Sequence, residues 1–274
     1  MLKNFNLIAS FMNVKNIRYF TSNLARSAQI ANELQQKYNI LPLSDKDNYS
    51  DSINTIIVIG DDGVLLHALK NFLHLNVGFY GINVGNLGFL MNSYNNKHDL
   101  IEQISSAKVV SIHPLRAKVA YNDATEEKIC FAFNECTILR YSSQAIKVDI
   151  KTDNVFRLNL FGDGVLVATA VGSAAYNYAA GGMVLPLAAN LLSITAISPF
   201  RPKGWHGALI HNRSSIDITM HDYTTRPGYF TADLQEIYNV TTVNITEAQD
   251  QKVKLLFNAE SDLEDKLLKE QFST

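Results

Sequence analysis

Nine of the 14 glycines fall in three stretches, Gly60/Gly63, Gly85/Gly88 and Gly162/Gly164/Gly172/Gly181/Gly182, each near the end of an apolar run. Glycine gathered at strand ends lets a backbone approach a ligand closely. In IIVIGDDGVLLHAL, the turn Gly60-Asp61-Asp62-Gly63 separates a buried strand from a helix start. Free N–H groups and the helix dipole favour a phosphate there, although an ordinary tight turn explains the spacing equally well. Neither GxxxxGK[ST] nor GxGxxG occurs, so the P-loop and dinucleotide fingerprints do not apply. GINVGNLGFL ends the third apolar run in the same way, which puts two glycine turns on one sheet edge, where open α/β folds bind ligands. In FGDGVLVATAVGSAAYNYAAGG, Asp163 ends a strand, and Ser173 is expected to cap a helix carrying Ala174, Ala175, Tyr176 and Ala179. The small residues leave room for a planar ring and Tyr176 can stack on it. No GxSxG elbow makes Ser173 a nucleophile. His67, His74, His206 and His211 stand alone, without metal-ligand spacing.

The elements that must position these groups change character along the chain. Ile17 to Phe20 reads as a strand, and Ser22 as the cap of a helix with Ser27, Ile30, Ala31, Leu34 and Tyr38 on one face. Ile53 with Ile56 to Ile59, then Leu65, Leu66, Leu69, Phe72 and Leu73, then Val77 to Ile82 repeat strand, helix, strand. Near-continuous apolar strands alternating with helices predict a doubly wound, Rossmann-like α/β domain over 1–110. After Pro114 the runs alternate: Leu115 to Tyr121, Lys128 to Phe133, Thr137 to Tyr141, Ala145 to Lys151 and Phe156 to Phe161, all read as hairpins. Gly207 to Met220, Gly228 to Asp233 and Val240 to Ile245 continue this mainly antiparallel β domain, which spans 111–256. A C-terminal helix within 257–274 is expected to pack back on the first domain.

Composition excludes several classes. Across 274 residues, 24 Lys+Arg stand against 26 Asp+Glu, a net charge of −2 that gives no electrostatic grip on nucleic acid. The most apolar stretch, Tyr178 to Leu192, is broken by Gly181, Gly182, Pro186 and Asn190, so no membrane partner is expected. Cys130 and Cys136 read as buried thiols, which places the protein in a reducing compartment, the cytoplasm. The first residues are weak as a secretory signal, and Met12 is an alternative start.

Together the motifs resemble the NAD kinases. The family's GGDG loop stands here as Gly60-Asp61-Asp62-Gly63, and its NxGxxGFL turn as Asn83 through Leu90. Its Asn-Glu pair stands as Asn134-Glu135, and its DG-to-GSTAY segment as Asp163-Gly164 through Gly172-Ser173-Ala174-Ala175-Tyr176 to Gly181-Gly182. Ser198 to Trp205, SPFRPKGW, is similar to one bacterial branch. The resemblance implies phosphorylation of the adenosine-ribose 2′-hydroxyl of NAD, with ATP or polyphosphate as donor, in a homodimer or homotetramer. It implies Asp62 as catalytic base, a role worth roughly 10² to 10⁴ in rate. It implies nucleotide binding by Gly63, Asn134, Glu135, Asp163, Ala174, Ala175, Tyr176, Asn177, Tyr178, Ala179 and Gln235. An ionised Glu135 would accept from sugar hydroxyls more strongly than an amide does. The cofactor is a divalent metal, Mg²⁺, held through phosphates, with Asp61 the one side chain placed to touch it.

Two positions depart from the family pattern: Asp61 replaces a glycine, and Ala174 replaces a threonine whose hydroxyl could contact the base. A lipid kinase of the diacylglycerol or sphingosine type shares a GGDG-like loop but leaves Asn134-Glu135 unexplained. A catalytically inactive NAD(P)-binding regulator, with Asp61 as the inactivating change, is the alternative of a different class.

Overall fold

The structure is a computed structural model describing residues 16–43, 53–85, 88–94, 98–121, 127–261, 263–270 and 272. Asn86 and Leu87 of the second glycine turn lie outside the described residues, as does the alternative start at Met12. The chain divides into two units, 1–112 with 252–266 and 113–251 with 267–274.

In the first unit the elements run β1 (Ile17–Thr21), α1 (Ala25–Tyr38), β2 (Leu41–Pro42), β3 (Thr55–Gly60), α2 (Asp62–Asn71) and β4 (Gly78–Asn83). They continue with β5 (Asn92–Ser93), α3 (Leu100–Ser105) and β6 (Lys108–Ile112). All six residues of β3 are buried, as a β-branched run between two parallel neighbours requires, and β1 and β4 flank it in parallel. Ile30 and Leu34 of α1 and Leu100 and Ile104 of α3 share one core with Tyr19, Ile57, Ile59, Tyr80 and Ile82. Phe20, on the opposite face of β1, meets His67 of α2 and Phe72 just after it, so helices cover both faces of the sheet. Ser22 is not the cap of α1. The helix starts at Ala25 behind Leu24 without a side-chain cap, and the Ser22 hydroxyl instead bonds that of Ser27 at 2.7 Å.

The second unit holds β7 (Leu115–Tyr121), β8 (Lys128–Ala132), β9 (Glu135–Arg140), β10 (Ile146–Thr152), β11 (Val155–Gly162) and β12 (Gly164–Ala168). Then follow α4 (Tyr176–Ala179), β13 (Leu191–Ile197), β14 (Gly207–His211), β15 (Ile216–His221), β16 (Gly228–Ala232), β17 (Gln235–Tyr238) and β18 (Val240–Glu247). Two antiparallel sheets form, ordered β11-β10-β15-β18-β7-β8 and β14-β13-β12-β9-β16-β17. Leu115, Val148 and Ile218 of one sheet and Ile138, Val165, Ile194 and Phe230 of the other enter a single core, which makes the unit a sandwich. Cys130 and Cys136 form no disulfide and are buried in it. β8 and β9 do not form the hairpin their spacing predicts, because the chain turns a corner at Phe133-Asn134 and the two strands join different sheets.

The chain then re-enters the first unit as β19 (Val253–Phe257), followed by α5 (Leu263–Glu270). β19 runs parallel to β4 and antiparallel to β6, completing the order β2-β1-β3-β4-β19-β6 with β5 on β4. The second region therefore ends at 251 rather than 256, since a strand that pairs on both sides belongs with its sheet. Among the described residues no helix is long and apolar enough to cross a membrane.

Candidate active site

Gly60 ends β3 with Val64 directly over it. A Cβ there would stand 2.6 Å from the Val64 Cβ, so the strand can pass into α2 at this distance only with glycine. Asp61 is the N-cap of α2: its Oδ1 accepts the Val64 N–H at 3.0 Å, satisfying one orphan donor of the helix. Its backbone is extended, with φ −112° and ψ −177°, so the departure from glycine imposes no left-handed strain. Gly63 lies in the first turn, where a Cβ would stand 3.3 Å from Asp61 Oδ1.

Asp62 opens α2 half-buried, and both of its carboxylate oxygens are held. Oδ2 accepts the Phe89 N–H at 2.8 Å and Oδ1 the Leu90 N–H at 3.1 Å. Burial pushes its pKa above the ordinary carboxylate range, and Asp61 adds to the rise. The two amides and the Lys266 ammonium oppose it. Asn83, at the end of β4, closes the second glycine turn by accepting the Gly85 N–H at 2.9 Å. The first unit thus presents an oriented carboxylate suited to receiving a proton.

In the second unit, Asn134 and Glu135 lie where the chain leaves β8 and begins β9. Asp233, in the β16–β17 turn with φ +48°, accepts the N–H of Phe133 at 2.7 Å, of Asn134 at 2.9 Å and of Glu135 at 3.3 Å. Thr169 fastens the other side, donating its hydroxyl to the Phe133 carbonyl at 2.7 Å and accepting the Gly172 N–H at 3.0 Å. Gly172 lies so close that a Cβ would overlap the Asn134 backbone. Glu135 Oε2 is buried without a hydrogen-bond partner. Burial, then the Asp233 charge, raises the Glu135 pKa to about 8. The ionised acceptor expected from sequence is therefore corrected: at neutral pH this carboxyl is mostly protonated, able to donate as well as accept.

The GSAAY segment forms a 3-10 turn, Gly172–Ala174, leading into α4. Ser173 caps neither. It donates to the Ala170 carbonyl at 2.6 Å and accepts the Leu185 N–H at 2.8 Å, fully buried. Asn177 is also buried, its amide donating to the carbonyls of Ser173 and Met183 and accepting from Thr195. Its side chain holds the turn together and has no edge left for a base. Ala174 is buried and Ala175 half-buried, while Tyr176, Tyr178 and Ala179 are exposed. Burial raises the Tyr176 phenol pKa, and Tyr229, Glu135 and Asp163 raise it further, which places these groups in one neighbourhood. Asp163 pairs with Arg140 Nε at 2.8 Å, a bond that a nucleotide hydroxyl could share. Gln235 begins β17 opposite Ala232.

Lys266 and Arg140 escape sequence reading because each acts from outside the glycine turns, and Thr169, within the third glycine stretch, because its role is a bond to the distant Phe133 carbonyl. Asp233 is reached from sequence only through the resemblance, whose late Asp-x-Gln segment stands here as Asp233-Leu234-Gln235. Among the described residues, no three His, Cys, Asp or Glu side chains gather to hold a cation.

Residues 133–263 match a family model described as the ATP-NAD kinase C-terminal domain. An NAD kinase of Rickettsia prowazekii (strain Madrid E) is 40% identical over 262 residues, covering 95% of this chain and 99% of its own length. An NAD kinase of Rickettsia rickettsii (strain Sheila Smith) matches to the same extent. Among solved structures, yeast NADH kinase complexed with NADH superposes with a TM-score of 0.81 at 17% identity, covering 94% of this chain and 87% of that one. An NAD kinase from Archaeoglobus fulgidus in complex with ATP gives 0.73 at 19% identity, covering 94% and 99%. At those identities the two structures speak for the fold, and the full-length relatives do not favour a lipid kinase.

Proposed function

This chain belongs to the NAD kinase family and makes NADP from NAD, and from that premise we propose that Asp62 is its general base. The observation that carries the assignment is the pair of N–H groups, Phe89 and Leu90, orienting a half-buried carboxylate. As the ribose oxygen bonds to the terminal phosphorus of the donor, its proton passes to Asp62 and the bond from that phosphorus to the bridging oxygen breaks. Burial raises the Asp62 pKa and with it its strength as a base, while the two amides and Lys266 limit the rise so that the carboxylate stays ionised and able to accept.

On the nucleotide side, the partnerless Glu135 Oε2 is matched to a hydroxyl or amine of NAD, with Asn134 beside it. Tyr176 and Tyr178 offer exposed ring faces to a base, next to Ala174, Ala175 and Ala179. Asp163, Gln235 and Gly63 complete the reading, and Asn177 supports it from within the fold. Magnesium, when bound, supplies positive charge to the phosphate oxygens. The donor set fits an ion carried by the nucleotide, because Asp61 Oδ1 already caps α2 and Asp62 already holds two amides.

ATP is the donor in this reading, as the ATP complex of the Archaeoglobus relative suggests, with polyphosphate as the competing donor. Purified protein is given NAD, Mg²⁺ and either donor, and NADP is counted with a glucose-6-phosphate dehydrogenase cycle. NADP from ATP is expected, and NADP from polyphosphate alone would overturn the choice of donor. NAD binding without NADP from either would support the inactive regulator. A cytoplasmic homodimer or homotetramer belongs to the same reading, and sedimentation velocity checks the assembly.

A further inference from the structure

Lys266 of α5 is half-buried, an expensive place for an ammonium unless it is used. Its Nζ donates to the Met91 carbonyl at 2.7 Å and lies 5.6 Å from the centroid of the buried Phe257 ring. Met91 directly follows Phe89 and Leu90, whose N–H groups hold the two oxygens of Asp62. Three successive residues are therefore gripped by a carboxylate and an ammonium. Beyond Met91 the chain is anchored by Asn92, whose side-chain amide donates to the carbonyls of Gly81 at 3.1 Å and Leu256 at 2.9 Å. Lys266 is thus the link between that anchor and the donors on Asp62.

We propose that Lys266 is a positioning residue for the reaction: by holding the Met91 carbonyl it fixes the Phe89 and Leu90 amides on Asp62, and its charge keeps that carboxylate ready to accept a proton. The inference rests on Asp62 being the base. Two effects act together. Geometrically, a loose 89–91 segment would let the carboxylate rotate away from one productive orientation, and misplacements of about 1 Å cost roughly 10²-fold in rate. Electrostatically, the charged groups acting on Asp62 are Lys266 from α5 and the adjacent Asp61. Lys266 lowers its pKa against burial, and Asp61 raises it. The effect is reciprocal, since burial depresses the Lys266 pKa and Asp62 restores it.

The test compares full-length wild type with K266M, K266R and D62N, measuring NADP formation across about pH 5 to 9 at saturating NAD and ATP, with melting by circular dichroism. K266M is expected to lose roughly 10- to 100-fold in kcat with KM for NAD within about twofold. Its acid limb of kcat should move to higher pH, and K266R should recover most of the rate and the limb. If K266M does not fold, K266Q, which keeps a neutral donor for Met91, carries the same comparison. Wild-type kcat and acid limb without the charge would overturn the proposal. So would a loss of rate with an unmoved limb that K266R fails to rescue, because that marks a contact that only holds the fold. An inert D62N beside an unimpaired K266M removes Lys266 alone. A fully active D62N removes Asp62 and the positioning role together.

Discussion

The N–H of Glu135 donates to a carboxylate oxygen of Asp233 at 3.3 Å, so the residue that shapes the backbone at Glu135 is also the charge that opposes its ionisation. Burial first and Asp233 second raise the Glu135 pKa from 4.5 to about 8. Between those values the folded chain holds a proton that the unfolded chain has released. Stability from this site is therefore present at low pH and lost as pH climbs through that window, by up to about 1.4 kcal/mol per pH unit. Melting of Glu135→Gln should vary less with pH than melting of the wild type. Equal slopes from pH 5 to 8 would contradict the shift.

Asp233→Asn separates the two effects, because asparagine tolerates the left-handed backbone at this turn but carries no charge. The Glu135 carboxyl should then titrate lower, followed by ¹³C NMR, while burial keeps it above an exposed glutamate. With a weaker acceptor for three N–H donors, a loss of roughly 1 to 3 kcal/mol is expected in denaturant unfolding. An unchanged Glu135 titration would show that burial alone sets it.

The parallel sheet of the first unit was legible because β3 and β4 are buried on both faces and read as unbroken apolar runs. The split of the second unit into two sheets was not, since β8 and β9 look like a hairpin, and the corner between them is made by Asp233, almost a hundred positions away. β12 was missed because glycine turns flank it on both sides within the third stretch. Asp62, Asn134 and Glu135 were legible as motifs, but the neutral state of Glu135 depends on a long-range charge and on burial. Lys266 gave no local signal at all, because it reaches the site from the C-terminal helix.

Gly172→Ala would drive a methyl group into the Asn134 backbone. The expected result is a loss of roughly 1 to 3 kcal/mol in stability and about tenfold weaker NAD binding by titration calorimetry. Wild-type affinity would mean that the Asn134 turn adjusts without consequence.

Asp61 acts as a helix cap. Asp61→Ser should keep the bond to the Val64 N–H and wild-type stability, whereas Asp61→Ala should lose about 1 kcal/mol. Half-saturation by Mg²⁺ should be unchanged within about twofold in Asp61→Ser, since the ion is carried by phosphates. A large change in that titration would return Asp61 to the metal.

The central claim is that Asp62 takes the hydroxyl proton, and single-turnover formation of NADP by Asp62→Asn tests it most directly. The asparagine preserves shape but removes the proton acceptor, so the rate should fall at least about 10²-fold while NAD affinity stays within a few-fold. Wild-type turnover by Asp62→Asn, with NADP accumulating at the normal rate, would contradict the account.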